Sequence, residues 1–283
     1  MKFGIFLPPM HRTGINPTLL LHRDLELVQW LDSLGYDEAW IGEHHSAGSE
    51  LIASPEVFIA AASQRTQHIK LGTGVNSLPY HHPFILADRI VMLDHLTRGR
   101  MMFGAGPGQL TSDAMMLGID PMVQRDRQDE ALGVILRLLR GEPRFTYESD
   151  WFTLRDAALQ LLPLQEDFPV VVASSVSPSG MTLAGKYGVG VISIGSNSTA
   201  GLQALPTQWA FAEEAATRSG MTVSRANWRV LLSFHIAETR DEARRQARHG
   251  LQRWHNEYTV ETLQRPGAVK YATADEAVDQ LAS

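Results

Sequence analysis

The feature that most constrains this chain is an alternation. Short, nearly continuous apolar runs recur along it, and segments with helical spacing separate them. The runs are "KFGIFL" (2–7), "YDEAWIGEHH" (36–45), "HIKLGTGVNSL" (68–78), "RMMFGAGPG" (100–108), "FPVVVASS" (168–175), "GVGVISIG" (188–195) and "WRVLLSFHIA" (228–237). In 16–35, Leu20, Leu27, Leu31 and Leu34 recur at helical spacing and Gly35 is a natural stop. Pro55 opens a second helical stretch to about Arg65, and Pro83 a third over 83–97. Further helices are expected over 122–141, 179–187, 201–219 and 239–256. Apolar strands separated by helices belong to a parallel sheet covered on its faces by helices, so the fold class is α/β. A doubly wound open sheet and a (β/α)8 barrel both fit seven such strands, and both place their sites just past the carboxyl ends of the strands.

A chain of 283 residues suits one large α/β domain. No linker or low-complexity tract divides it, so a single domain over 1–283 is expected. The rhythm breaks once: about 106–167, after the fourth strand, reads as an insertion or lid on the site side. Near the end, Thr273 and Glu276 form a capping box that opens a last helix in "TADEAVDQLAS". In an eight-stranded barrel that helix would lead into strand 8, which is expected to be missing from this chain.

The net charge is −6, with no run of Lys or Arg, which argues against nucleic acid or an anionic membrane as partner. No apolar stretch reaches the roughly 18 residues that span a bilayer. There is no cysteine, which excludes disulfides and thiolate chemistry and fits a cytoplasmic setting.

Glu43, His44 and His45 stand at the carboxyl end of the second strand. Neighbours on a strand point to opposite faces, so the two histidines share a cavity only if the strand has already ended. A metal site would need ligands beyond His81 and His82, and no second acid cluster is present, so no metal is assigned. A hydrogen-bonded structural histidine remains the plain alternative. A general acid or base is favoured, because imidazole titrates near neutral pH. In "FGAGPG" (103–108) the glycines do not form a dinucleotide fingerprint. They mark either a tight turn or a place, at Ala105 and Gly106, where a flat ligand approaches backbone that a side chain would cover. In "ASSVSPSG" (173–180), Ser174, Ser175, Ser177 and Ser179 precede a helix. Capping needs only one of them, so the cluster points to a phosphate group. Asn76, in "GTGVNSLPYHHP" (72–83), is placed to donate to a ring carbonyl.

Taken together, "MKFGIFL", "GYDEAWIGEHH", "LGTGVNSLPYHHP", "LDHLTRGRMMFGAGPG" and "SPSGMTLAGKYGVGVISIG" resemble the luciferase-like flavin monooxygenases, and most of all the limonene monooxygenase-like branch. The likeness runs to about residue 255. It implies a (β/α)8 barrel with a flavin, FMN or else FAD, over the carboxyl ends of the strands. It also implies a separate reductase that supplies reduced flavin, a small apolar substrate of terpene type, O₂ as oxidant, and pairing of two copies through the helices of 54–66 and 83–96. By position, His44 matches the active-site histidine and Asp113 an acid that influences flavin binding. Gly74-Val75 falls at a non-prolyl cis peptide, and Ser174 and Ser175 on the phosphate segment. Two positions depart from the luciferase pattern. Gly106 replaces a reactive cysteine, and Pro107 replaces an arginine that grips the phosphate. Phosphate binding then rests on the serine loop, and light emission is not implied. Two other readings stay open: hydride transfer with a deazaflavin, and a flavin-binding relative without catalysis.

Overall fold

The structure is a computed structural model that describes residues 2–8, 10–195, 199–264 and 267–282. Its main sheet holds β1 (Gly4–Leu7), β2 (Glu38–Ile41), β3 (Lys70–Thr73), β4 (Asn76–Ser77), β5 (Met101–Gly106), β8 (Val170–Ser174), β9 (Gly190–Ser193) and β10 (Trp228–Val230). The strand order is β1-β2-β3-β5-β8-β9-β10, with β4 on β5, and all pairings within this sheet are parallel. Each new strand adds to the same side of the growing sheet. The order never reverses, which removes the doubly wound alternative and its switch point. The sheet curls: Arg229 of β10 reaches Glu38 of β2 from the far end of the strand order.

The helices start and stop where the sequence signals fall. α1 (Pro17–Ser33) is capped by Asn16, whose side chain accepts from Thr18 N at 2.9 Å, and Gly35 follows with φ 77°. α2 (Pro55–Ser63) and α3 (Pro83–Leu96) each begin on proline. Between β5 and β8 lie α4 (Thr111–Met116), α5 (Gln124–Leu139) and an antiparallel pair, β6 (Phe145–Glu148) with β7 (Thr153–Ala157). α6 (Ser179–Tyr187) follows β8 and ends on left-handed Gly188, and α7 (Thr199–Ser219) follows β9.

The sheet buries two apolar layers. Outward residues such as Ile41, Leu71, Phe103 and Val172 pack against the helices. Inward residues Trp40, Met102, Val171 and Ile192 fill the curl with Phe6, Val75 and Ala173. Size is matched across the curl. A Cβ at Gly72 would stand 2.5 Å from the Trp40 ring, so a large and a small residue share one layer.

Two expected strands are shorter than their apolar runs. The run 68–78 is interrupted between β3 and β4 by a cis Gly74–Val75 peptide bond. In 228–237 the strand ends at Val230, and residues 231–237 carry no regular structure. The chain divides into two compact units, with 232–283 as the second. That unit holds α8 (Arg240–Arg253), a π-helical stretch Trp254–Thr262, and α9 (Ala274–Leu281). Arg244–Asp279 at 2.5 Å and Arg248–Asp275 at 2.7 Å tie α8 to α9. The expected cap is formed, with its return bond displaced by one residue: Thr273 Oγ1 accepts from Glu276 N at 3.1 Å, and Glu276 Oε2 reaches past the N-cap to accept from Ala272 N at 3.0 Å.

Candidate active site

β2 ends at Ile41, so Glu43, His44 and His45 sit in the loop beyond it and escape strict alternation. Glu43 is enclosed. Its carboxylate accepts from His45 Nε2 at 3.1 Å, His81 Nε2 at 3.0 Å, Asn76 Nδ2 at 3.2 Å and Ser77 N at 3.2 Å. His44 belongs to a second carboxylate. Asp113, in the first turn of α4, accepts from His44 Nδ1 at 3.1 Å, His45 N at 3.1 Å and Ser46 Oγ at 2.5 Å. The other ring nitrogen, Nε2, faces Glu50 Oε2 at 3.4 Å.

These contacts set the charges. Burial pushes both Glu43 and Asp113 up, but the hydrogen bonds they accept outweigh it and hold both carboxyls below the ordinary range. Burial pulls the His44 and His81 rings down. The facing carboxylates outweigh that too, so both imidazoles are raised, and His45 is raised by its bond to Glu43. The cluster therefore favours the protonated form of His44, with the Asp113 carboxylate as its fixed counter-charge. Among the described residues, no group of three or more His, Asp or Glu side chains is arranged to hold a metal ion.

Asn76 is fully buried beside this cluster. Its amide N–H₂ donates one hydrogen bond to Glu43, and its Oδ1 has no hydrogen-bond partner. The sequence suggested a donor to a ring carbonyl. The unpartnered Oδ1 adds an acceptor, suited to a ring N–H, to that donor. The glycines of β5 also acquire a different reason. A Cβ at Gly104 would lie 2.1 Å from Thr73 O, and one at Gly106 would lie 2.3 Å from Val75 Cγ2. The 73–75 segment folds onto β5: its backbone excludes a side chain at Gly104, and the Val75 side chain crowds Gly106. Ala105 faces the helical layer, with its carbonyl accepting from Gln128 Nε2 at 3.4 Å.

The serine loop divides. Ser174 is buried at the end of β8 with no partner for its Oγ, under a helix turn where Gly180 would clash if it carried a Cβ. Ser175 and Ser177 are exposed, and Ser177 Oγ is 2.9 Å from Ser179 Oγ at the start of α6. Gln208 of α7 donates to Ser175 O at 2.6 Å and Val176 O at 3.0 Å, which fixes the loop. Arg125 Nη1 donates to Ser179 Oγ. A guanidinium, hydroxyls and a helix N-terminus thus meet at one spot, the donor set a phosphate requires.

The two groups are linked. Tyr80 packs edge-on against His45, with ring centroids 5.9 Å apart. Gln124 Nε2 donates to Tyr80 OH at 2.9 Å and to Pro107 O at 2.7 Å, anchoring the start of α5, and the next residue is Arg125. His44, Asn76 and the serine loop therefore lie at the same end of the parallel sheet. Sequence reading missed Arg125, Gln208 and Glu50. Arg125 sits in the charged run "QRDRQDE", where nothing in the spacing distinguishes it from a solvated helix face.

Comparisons with known proteins identify the family. The model of the luciferase-like monooxygenase family matches residues 1–281. The chain is 54% identical to limonene 1,2-monooxygenase of Rhodococcus erythropolis over 89% of its own length and 64% of that protein's. It is 51% identical to 4-hydroxyprotoasukamycin monooxygenase of Streptomyces nodosus subsp. asukaensis over 91% of its own length and 70% of that protein's. It spans roughly two thirds of each relative. Among solved structures, the oxygenating constituent of 3,6-diketocamphane monooxygenase from Pseudomonas putida, in complex with FMN, superposes with a TM-score of 0.81 at 28% identity, covering 100% of this chain and 79% of that one. With its consecutive parallel strands and its strand-end histidine cluster, the chain belongs to the luciferase-like monooxygenase family.

Proposed function

We propose that this chain is the oxygenating component of a two-component flavin-dependent monooxygenase acting on a small apolar substrate of terpene type. The observation that carries the reading is the His44–Asp113 pair at the same strand ends as the Arg125–serine loop. We read the curled sheet as the strands of a (β/α)8 barrel, and about 106–167 as its site-side insertion.

The residues fit FMN. Ser175, Ser177 and Ser179 with Arg125 would hold the phosphate, and buried Asn76 Oδ1 would accept from the ring system. Gly74, Val75 and Gly106 would supply a surface of small groups to the ring, with Ala105 backing it from the helical side, while Ser174 would support the loop from beneath. Reduced flavin, delivered by a separate reductase, would supply the activation of O₂. The protein's part is to orient substrate, exclude water, and hold a proton on His44 through Asp113. Relatives at 51% and 54% identity bear monooxygenase names, which favours oxygenation over hydride transfer with a deazaflavin. An intact His44–Asp113 pair favours a catalyst over a passive flavin binder. Val57, Ile85, Met92 and Leu96 leave an apolar face exposed on α2 and α3, which supports a homodimer formed there. No helix among the described residues is long and apolar enough to cross a membrane. A cytoplasmic setting rests on the absence of cysteine.

The test combines reduced FMN, a flavin reductase and ¹⁸O₂ with limonene and a panel of cyclic ketones. One labelled oxygen atom should enter the product, and His44→Ala should abolish that incorporation. Absence of both FMN affinity and labelled product would refute the proposal.

A further inference from the structure

Glu50 has no place in the family pattern considered above, yet it is among the most deeply enclosed acids of the chain, with its side chain 2% exposed. Neither carboxyl oxygen has a hydrogen-bond partner. Its charged contact is His44 Nε2 at 3.4 Å, an ion-pair distance rather than a well-made hydrogen bond. The backbone holds it there. Met10 and Glu50 form a bridge, His11 N donates to Ser49 O at 2.8 Å, and His44 N donates to Ile52 O at 3.2 Å, which doubles the loop back over the ring.

A buried carboxylate without hydrogen bonds is costly. The cost is relieved if the group shares a proton with the one cation it faces. We propose that Glu50 is a positioning residue for His44: it holds the Nε2 proton while Asp113 holds Nδ1, so that two carboxyl groups jointly fix the orientation and charge of the imidazole. Two arrangements carry the same number of protons. In one, His44 is a cation between two carboxylates. In the other, the Nε2–H bond is broken and an Oε2–H bond is formed, leaving a neutral ring, a neutral Glu50 and the Asp113 anion. Net charge is unchanged, so the proton passes between His44 and Glu50 without leaving the buried cluster.

The surrounding charges agree with this. Burial raises the Glu50 carboxyl and Asp113 raises it further, with His44 acting in the opposite direction. The ring is faced by Asp113, Glu50 and Glu43. No cation other than His44 bears on Glu50 in this balance. The inference rests on the reading of His44 as the proton-handling group of the site, but it can be tested without flavin, substrate or turnover.

The experiment follows the His44 ring by NMR across pH in the flavin-free full chain, wild type against Glu50→Gln. Glutamine keeps the size and removes the charge and the exchangeable acid. The His44 midpoint should fall by about one pH unit in E50Q, a tenfold loss of proton affinity. A folded E50Q with an unchanged midpoint overturns the proposal. Should E50Q fail to fold, wild type alone decides. The carboxyl carbon of Glu50 should move in the same pH steps as the His44 ring, and a Glu50 signal that titrates independently overturns the proposal. Absence of labelled product would defeat the monooxygenase reading and leave both NMR outcomes intact.

Discussion

Arg229 grips Glu38 with two hydrogen bonds, Nε to Oε2 and Nη2 to Oε1, each 2.8 Å, although β10 and β2 stand far apart in the strand order. The guanidinium also lies 5.2 Å from the Trp40 ring centroid, and Trp40 Nε1 donates to Glu38 at 2.9 Å. This cluster closes the amino-terminal end of the curl, opposite the histidines. Burial pushes the Glu38 carboxyl up, and the Arg229 hydrogen bonds and charge more than reverse that. Arg229→Met leaves a buried carboxylate without its cation and should cost about 3 kcal/mol in urea unfolding. Glu38→Met with Arg229→Met should recover most of the loss, because an apolar pair needs no charge compensation. A loss below about 1 kcal/mol for R229M would mean the curl does not depend on this pair.

Gly104 is required by neighbouring backbone rather than by a ligand. Its missing Cβ would stand 2.1 Å from Thr73 O, while Thr73 Oγ1 and Gly104 N already share a 2.9 Å hydrogen bond. Backbone cannot move aside as a flexible side chain can. Gly104→Ala should therefore destabilise the chain by about 3 kcal/mol, read as a shift of the denaturant midpoint. An unchanged midpoint would return this glycine to the cofactor.

How far the sequence disclosed the fold and the site follows from which forces are local. The parallel α/β class, the helix starts at Pro55 and Pro83 and the cap at Thr273 were legible because capping and apolar runs act over a few residues. The choice between a doubly wound sheet and a curled one came from the resemblance and not from the periodicity, because strand order depends on pairings between distant residues. The halt of β10 at Val230 was hidden behind an apolar run that continues to residue 237. In the site, the strand-end histidines were named from their place in the sequence, Asp113 from the resemblance alone, and the 3.1 Å bond between His44 and Asp113 joins residues 69 positions apart. Asn76 was named as a donor, and nothing in the sequence shows that Glu43 shares that donor or that Oδ1 is left without a partner. Arg125, Gln208 and Glu50 act through side chains that only the fold aims at their partners.

The carboxylate of Glu43 and its two histidines predict a definite pH profile. Glu43 is held below the ordinary glutamate value of 4.5, so its contribution is complete above that pH and disappears as pH falls through the lower folded value. His45 and His81 are raised above 6.5, so their contribution is complete below that pH and disappears as pH rises through the higher folded values. Both contributions are present together between 4.5 and 6.5. Unfolding free energy from urea titrations should be greatest in that window. Glu43→Gln should flatten both shoulders while lowering the maximum by about 2 kcal/mol. A wild-type profile that keeps rising above pH 6.5 would contradict the assignment of charge in the cluster.

Arg125 offers the sharpest separation of phosphate recognition from ring recognition. It donates to Ser179 at the start of α6, next to the exposed Ser177, and its position depends on Gln124 being anchored to Tyr80 and Pro107. With Pro107 where luciferase has its arginine, the guanidinium of Arg125 is the cation brought to the serine loop. A charge-assisted hydrogen bond to phosphate contributes about 1.5–3 kcal/mol. Arg125→Gln should therefore weaken FMN binding by about ten- to a hundredfold. Binding of riboflavin, which has the same ring system without the phosphate, should stay within about twofold of wild type. Fluorescence-quenching titrations with the two flavins measure both constants on one preparation. Equal weakening of both would place Arg125 at the ring or in the scaffold. Weakening of neither would move the phosphate away from the serine loop.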